Sequence, residues 1–377
     1  MRIAIGQTGA PTTVVDQTVL GIVEGLSGHE VMAVRGGPDG LVNGVLDVVA
    51  PHDLPGPGPR GGSWLGAGRR SMTPNDVRRS VEVLADHGVE ALALIGGNGT
   101  MALLDAIADG AARLGTGMRV VGVPKTIDND LLHTDHAPGF ASAARYLTSV
   151  VPDLARDQHA MQGVEPIRVV ETLGRAVGWL ALAATWHCDD PEHAPDIVLL
   201  PELQLDEEAV VRRVDEVLTR KGRAFLVVSE GVRLGGERER FDAMNHTTLL
   251  HGGVARRLAA ALSSVLGVQA RGEVLGMVQR SASRLAGAVD VREAFDIGLA
   301  AAGLLTGRPS GALDIAKGTE AVMVTIVREP GEVYAVRHAT VPLAAVAGRT
   351  REVPDKWRTD DPAALDDFYR WLAPLVT

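Results

Sequence analysis

The chain is poor in aromatic residues, which make up 3% of its 377 residues, and it has a single cysteine, Cys188. One thiol rules out an internal disulfide and any multi-cysteine metal centre, and Cys188 reads as a small buried hydrophobe. Long hydrophobic runs are missing too: no window approaches about 18 uninterrupted apolar residues, so no transmembrane helix is expected. The opening Met1–Pro11 has one charge and only a short apolar run, which suits a first strand and its loop rather than a signal peptide. Nor is there an excess of positive charge. The formal net charge of −10 argues against non-specific nucleic-acid binding, which depends on a basic surface. It leaves room for phosphate ligands, because a few arginines and backbone N–H groups can hold an anion within an acidic protein. The expectation is a cytoplasmic protein whose partners are small molecules, neither nucleic acid nor membrane.

What is abundant is aliphatic. Hydrophobic residues reach 46% and charged residues 22%, enough for a large core built from Ala, Val and Leu. Short apolar runs alternate with amphipathic stretches. Strands are predicted at Arg2–Ile5, Val31–Arg35, Ala91–Ile95, Arg119–Val123, Ile167–Glu171, Asp196–Leu200, Ala224–Ser229, Gly276–Gln279 and Met323–Val327. Helices are predicted near Val14–Leu26, Pro74–His87, Thr100–Leu114, Ala176–Thr185 and Glu207–Arg220, then up to about Leu266, and last over Ala363–Leu372. Runs without polar alternation suit strands buried on both faces of a parallel sheet. The rhythm implies a doubly wound α/β architecture, with ligands beyond the C-terminal ends of the strands. No internal repeat or low-complexity linker is present.

Four loops at strand ends carry candidate chemistry. Gly96-Gly97-Asn98-Gly99-Thr100 lets the backbone approach a phosphate, with a helix N-terminus behind it; a plain strand–helix turn would look the same. Lys125-Thr126-Ile127-Asp128-Asn129-Asp130 puts two carboxylates beside a Lys and a Thr. That set suits phosphoryl transfer, with one carboxylate accepting a hydroxyl proton, the other helping to hold Mg²⁺, and Lys neutralising the transferring oxygens. A solvated acidic turn is the plainer alternative, and Lys125 directly at a strand end tells against it. In Glu171-Thr172-Leu173-Gly174-Arg175 the Arg can clamp a phosphate. Arg271 and Arg280, nine residues apart around Gly276–Gln279, meet one ligand only if the chain bends between them. His133, His136 and His187 have no ligand-set spacing, and two of them read as ordinary loop histidines.

In this order the four loops resemble the phosphofructokinase family. PKTIDND is similar to its catalytic segment letter for letter. GGNGT resembles its GGDGS/GGDGT phosphate loop, ETLGR its E-(V/T)-MGR, and LGMVQR its LG-x-x-QR. The opening GQTGAPTTVVDQT, TDHAPGFASAARY and the tail VPLAAVAGRTREVPDKW look most like the long bacterial branch that uses pyrophosphate. The resemblance implies mostly parallel sheets in two Rossmann-like lobes with the active site in the cleft between them. It further implies a donor-binding lobe over residues 1–145, an acceptor-binding lobe over 146–340, and a C-terminal segment, 341–377, packing back on the first lobe.

By the same resemblance, Asp128 is the general base, Asp130 and Thr126 organise the metal and transition state, and Lys125 and Arg175 stabilise the moving phosphoryl group. Gly9, Ala10, Arg69, Gly97, Asn98, Gly99 and Thr100 meet the donor, and Asn98 and Asp128 meet Mg²⁺. Glu171, Gly174, Glu230, Arg271 and Arg280 bind an acceptor, by default fructose 6-phosphate. The family's acceptor pocket borrows arginines across an interface, so a homodimer or homotetramer is implied. The readings set against an active kinase are a degenerate regulatory or binding subunit, and a nucleotide or lipid kinase sharing only the GGDG-type loop. Asp128, Asp130, Arg175 and Arg280 weigh against the first, and the TIDND and GR segments against the second.

The departures from the family pattern bear on substrate. Ala10 replaces a second Gly close to the donor phosphate, and Asp16 replaces Asn, adding a negative charge near the same loop. Gly99 stands where pyrophosphate users have an Asp that blocks the α-phosphate of ATP. Lys125 is typical of pyrophosphate users, and Leu103 could crowd a nucleotide. The balance points to ATP, with pyrophosphate as the alternative. Pro166 replaces a phosphate-binding Arg, and Ser281-Ala282 replaces Gly-Gly. Arg168, two residues on and on the same face of the strand, is the expected substitute for that Arg. A different sugar phosphate or an unphosphorylated polyol is the alternative acceptor.

Overall fold

A computed structural model describes residues 1–68, 70–186, 191–234, 253–308 and 321–377. Arg69, His187 and Cys188 lie outside the described residues. The chain divides into two compact units, Met1–Ala141 with Arg280–Thr350, and Ser142–Gln279 with Arg351–Thr377.

The first unit is built on a seven-stranded sheet ordered β11-β10-β5-β4-β1-β2-β3. Its strands are β1 (Arg2–Gln7), β2 (Glu30–Val34), β3 (Leu46–Val48), β4 (Ala91–Gly96), β5 (Arg119–Pro124), β10 (Ala321–Arg328) and β11 (Val336–Pro342). All neighbours are parallel except β2 with β3 and β10 with β11. Successive side chains of a strand point to opposite faces, and the apolar runs use both. Ile3, Ile5, Ala93 and Ile95 join a core with α1 (Val15–Gly25) and α9 (Ala288–Thr306). Ala4, Leu92 and Leu94 join another with α3 (Pro74–Asp86) and α4 (Asn98–Arg113). The doubly wound expectation holds. Helices α1 and α9 meet backbone to backbone: a Cβ on Gly21 would lie 2.0 Å from the Phe295 carbonyl oxygen, and one on Gly298 would lie 2.4 Å from that of Thr18.

The second unit has an all-parallel sheet ordered β7-β8-β6-β9, made of β6 (Ile167–Thr172), β7 (Ile197–Leu199), β8 (Ala224–Ser229) and β9 (Ala270–Val274). Packed on it are α7 (Glu207–Lys221) and α8 (Val254–Leu266), through Val210, Val214, Leu258 and Leu262. The scarce aromatics concentrate here. Trp179, at the start of α6 (Trp179–Ala183), lies 6.0 Å from Trp357 and 5.4 Å from Trp371 between ring centroids, and Arg351 sits 4.5 Å over its ring. This cluster explains why 351–377, expected to return to the first lobe, belongs to the second unit. Conversely 280–340, expected in the acceptor lobe, belongs to the first unit, because β10 extends the first sheet by pairing with β5 and α9 packs under it.

Two long helices escaped the sequence reading, α9 and α5 (Phe140–Met161). The second contains Pro152, which normally reads as a helix end. Gly276–Gln279, predicted as a strand, lies in a 3₁₀ turn, Gly276–Arg280, and the strand is Ala270–Val274 just before it. Gly276 at φ 59° makes the break.

Candidate active site

In the first unit the loops after β1, β4 and β5 are stitched together. The buried hydroxyls of Thr8 and Thr100 share a hydrogen bond, and the Thr8 N–H donates to the Ile95 carbonyl at 3.0 Å. Gly96 must be glycine, since a Cβ would fall 1.9 Å from Thr100 Oγ1. Helix α4 starts behind it with Gly97 at its N-cap and no side-chain cap, so its first N–H groups and the positive end of its dipole are presented to an anion. Lys125 is 4% exposed, and its ammonium donates to the carbonyls of Thr8, at 3.3 Å, and Ala10. It holds the Gly9–Ala10 turn from beneath, a role the sequence did not suggest. Gly9, at φ 75°, donates its N–H to the Gly68 carbonyl at 3.3 Å, which places the residue before Arg69 against the same turn.

The Asp128 loop is shaped by its own polar groups. The Asp128 N–H donates to Thr126 Oγ1 at 3.0 Å. Asn129 is fully buried at φ 57°, and its Oδ1 accepts from the Ala137 N–H at 3.2 Å. Asn tolerates this left-handed conformation better than most residues. With Asn129 turned inward, Asp128 and Asp130 on either side of it are half-buried.

Three expectations for this unit change. Asn98, expected to meet metal and donor, uses its amide on the chain: Oδ1 accepts from the Gly348 N–H at 3.0 Å and Nδ2 donates to the Arg349 carbonyl. Asp16 is 6% exposed and its Oδ1 accepts from the Trp64 N–H at 2.8 Å. Burial pushes its carboxyl above the usual range, against the pull of that bond and of Arg60, so it serves as an internal anchor for the loop leading to Gly68. Leu103 is 8% exposed and packs in the core, so it does not crowd a ligand.

Among the described residues no three His, Cys, Asp or Glu side chains form a metal cage. Mg²⁺ needs none, because it is commonly held by one or two carboxylates with substrate phosphates and water. Asp128 and Asp130 fit that pattern, and Asn98 does not.

In the second unit, Glu171 is 2% exposed and its carboxylate accepts from the N–H groups of Gly253, at 2.9 and 2.8 Å, and Ala255, at 3.0 Å. It was expected to bind substrate; instead it caps the start of α8, where a negative charge meets the positive end of the helix. Gly174 sits at φ 122°, a conformation only glycine adopts readily, and its carbonyl accepts from the Ser229 hydroxyl and, at 3.1 Å, from the Gly231 N–H. That brings Arg175 beside Glu230, with Nε 3.7 Å from Oε1. Gln279 supports them, its Oε1 accepting from the Leu173 N–H at 3.0 Å.

Arg168 and Arg271 are register partners on β6 and β9. Arg168 is 3% exposed and donates to Asp157, at 2.5 Å, to the Leu154 carbonyl, at 3.3 Å, and to Glu165, at 3.3 Å. Its expected reach toward an acceptor is corrected: the guanidinium is enclosed by its own unit. Arg271, with a side chain 53% exposed, makes a bidentate pair with Glu165, and the guanidinium holds that carboxyl below the usual range. Both arginines lie roughly 13 Å along β6 from Thr172, at about 3.3 Å per residue. Arg175 and Glu230 lie beyond that far end.

The phosphofructokinase family profile matches residues 2–305. The chain belongs to the phosphofructokinase family. It is a phosphotransferase of that family. It is 33% identical to a protein named sulfofructose kinase from Alkalicoccus urumqiensis, across 100% of this chain and 96% of that one. It is 31% identical to the pyrophosphate–fructose 6-phosphate 1-phosphotransferase of Rhodospirillum rubrum, across 100% and 94%. Among solved structures, it matches the pyrophosphate-dependent phosphofructokinase of Nitrosospira multiformis with a TM-score of 0.82 at 26% identity, over 100% of this chain and 91% of that one. No helix among the described residues is long and apolar enough to cross a membrane.

Proposed function

We propose that the chain moves a phosphoryl group from ATP to a hydroxyl of a six-carbon ketose whose far end carries a singly charged acidic group, such as the sulfonate of sulfofructose. Asp128 takes the hydroxyl proton as the new O–P bond forms and the bond to the leaving phosphate oxygen breaks. The helix α4 N-terminus, with Gly97, Gly99 and Thr100, holds donor phosphates, and Arg175 offsets charge on the group in transit. Asp128 and Asp130 would hold Mg²⁺, which when bound with the phosphates supplies neutralising charge. Glu230 takes acceptor hydroxyls. The cytoplasm is the expected place of work.

The acceptor reading rests on one observation, the bidentate pair of Arg271 with Glu165. A sugar phosphate carries about −1.5 to −2 at pH 7. Here Pro166 supplies no charge, Arg168 is enclosed, and a carboxylate already sits on Arg271. A sulfonate, with one charge, asks for less. The name of the Alkalicoccus urumqiensis relative supports this reading, whereas fructose 6-phosphate is named for the Rhodospirillum rubrum relative. For the donor, Gly99 is exposed at the first turn of α4, with no side chain to meet an α-phosphate. The pyrophosphate-dependent relatives favour pyrophosphate as the second reading.

The test is a steady-state assay with Mg²⁺, ATP or pyrophosphate in parallel, against sulfofructose, fructose 6-phosphate and fructose. We expect kcat/KM for sulfofructose with ATP to exceed that for fructose 6-phosphate at least tenfold. We also expect Glu165→Gln to narrow the gap by releasing Arg271, each charge-assisted hydrogen bond being worth about 1.5–3 kcal/mol. A wild type that prefers fructose 6-phosphate overturns the acceptor reading.

A further inference from the structure

His136 is a buried polar residue of the first unit that has no part in the catalytic assignments. It is 0% exposed, and both ring nitrogens face carboxylates: Nδ1 lies 2.9 Å from Asp135 Oδ2, and Nε2 lies 2.6 Å from Glu293 Oε2. A neutral imidazole has one N–H. Between two carboxylates it would turn a bare nitrogen lone pair toward an anion in a buried place, which is costly. The geometry asks for the imidazolium, which donates at both ends.

The ring also sits at a junction. The segment after Asp130 folds back so that the Thr126 N–H donates to the Pro138 carbonyl at 3.2 Å and Ala137 meets the Asn129 side chain. Residues on both sides of Asp128 therefore hang on 137–138. That segment is in turn held to α9, where Glu293 takes His136 and Asp290 Oδ1 accepts from the Gly139 N–H at 2.9 Å. From β10, the Ile326 N–H donates to Thr134 Oγ1 at 3.0 Å.

We propose that His136 is a positioning residue: as an imidazolium clamped between Asp135 and Glu293, it ties the Thr126–Gly139 loop to α9 and so sets the Asp128 carboxylate. The inference rests on the reading of Asp128 as the base. Asp135 on its own loop and Glu293 on α9 face the ring; around that pair, Arg328 on β10 lies 3.0 Å from Asp135 Oδ2, the Tyr334 hydroxyl donates to Glu293 Oε1 at 2.6 Å, and Asp296 on α9 and His338 on β11 are charge neighbours of Glu293. Burial works against the charge on His136, but the hydrogen bonds it donates to Asp135 and Glu293 outweigh it and raise the ring to about 9. The proton is thus in place at neutral pH and is lost as pH rises through that value. Burial holds His338 below its usual value, so it is neutral throughout that range.

The experiment compares wild type, Glu293→Gln and His136→Gln by kcat–pH profile and by hydrogen exchange of the 126–139 segment. Wild-type kcat should fall along an alkaline limb near pH 9. Glu293→Gln, which keeps an acceptor oxygen and removes one charge, should move that limb down by about one pH unit or more, with the donor KM unchanged. His136→Gln should speed exchange across 126–139 and lower kcat at least tenfold. A limb unmoved by Glu293→Gln overturns the proposal without reference to the other variant, and so does a folded His136→Gln with wild-type kcat and exchange. Exchange reports the hold on the loop whether or not Asp128 is the base, so the two readings fail separately.

Discussion

Arg168 and Arg271 stand side by side on neighbouring parallel strands, and one carboxylate, Glu165, accepts hydrogen bonds from both. The two cations differ in what surrounds them. Arg168 is enclosed at 3% exposure, whereas Arg271 keeps half its side chain in solvent.

Arg168→Ala should therefore act on stability. Losing a guanidinium that is itself enclosed removes its bonds to Asp157, Glu165 and the Leu154 carbonyl together with the packing of its stem, which costs about 1–3 kcal/mol. Chemical denaturation should show that loss, while KM for the acceptor stays within about twofold. A steep rise in KM with unchanged stability would return Arg168 to the acceptor site.

Arg271→Ala should act on the acceptor, and through a second copy of the chain. Arg271 lies roughly 13 Å along β6 from the end that carries Arg175 and Glu230, too far to share a ligand with them in one protomer. We expect a homodimer or larger by light scattering. Mixing the weak Arg271→Ala protein with inactive Asp128→Asn should recover activity through hybrid sites. A fully active monomer would contradict this.

Asp128→Asn should keep the fold, since its backbone N–H bond to Thr126 does not involve the carboxylate. Loss of the base should lower kcat by about 10²–10⁴-fold. Retention of more than a tenth of kcat removes Asp128 from that role.

Gly99→Asp should suppress ATP use by placing a carboxylate at the exposed first turn of α4, and spare pyrophosphate. The ratio of kcat/KM for the two donors measures it. An equal fall in both would place residue 99 at phosphates common to the two.

Much of this was legible in the chain. The apolar strands from Arg2 to Ser229 appear within a residue or two of their predicted places, because a strand buried on both faces must be apolar throughout. PKTIDND and GGNGT sit at strand ends as expected, since glycine and short polar residues are what such turns need. Helix α5 was hidden by Pro152, and Gly276–Gln279 passed for a strand because a short apolar run does not distinguish strand from turn.

The partner of each charged side chain was beyond the sequence. Glu171 sits in one of the four family-like segments, yet its carboxylate closes the start of α8, more than eighty residues away in sequence. Asn98 spends its amide on Gly348, Lys125 on Ala10, and His136 on Glu293. Local residue order determines strands, turns and which side chains can carry protons or meet phosphate. Whether a charge is free for a ligand or taken by its own protein depends on which distant segment folding brings within about 3 Å of it, and only the tertiary structure decides that.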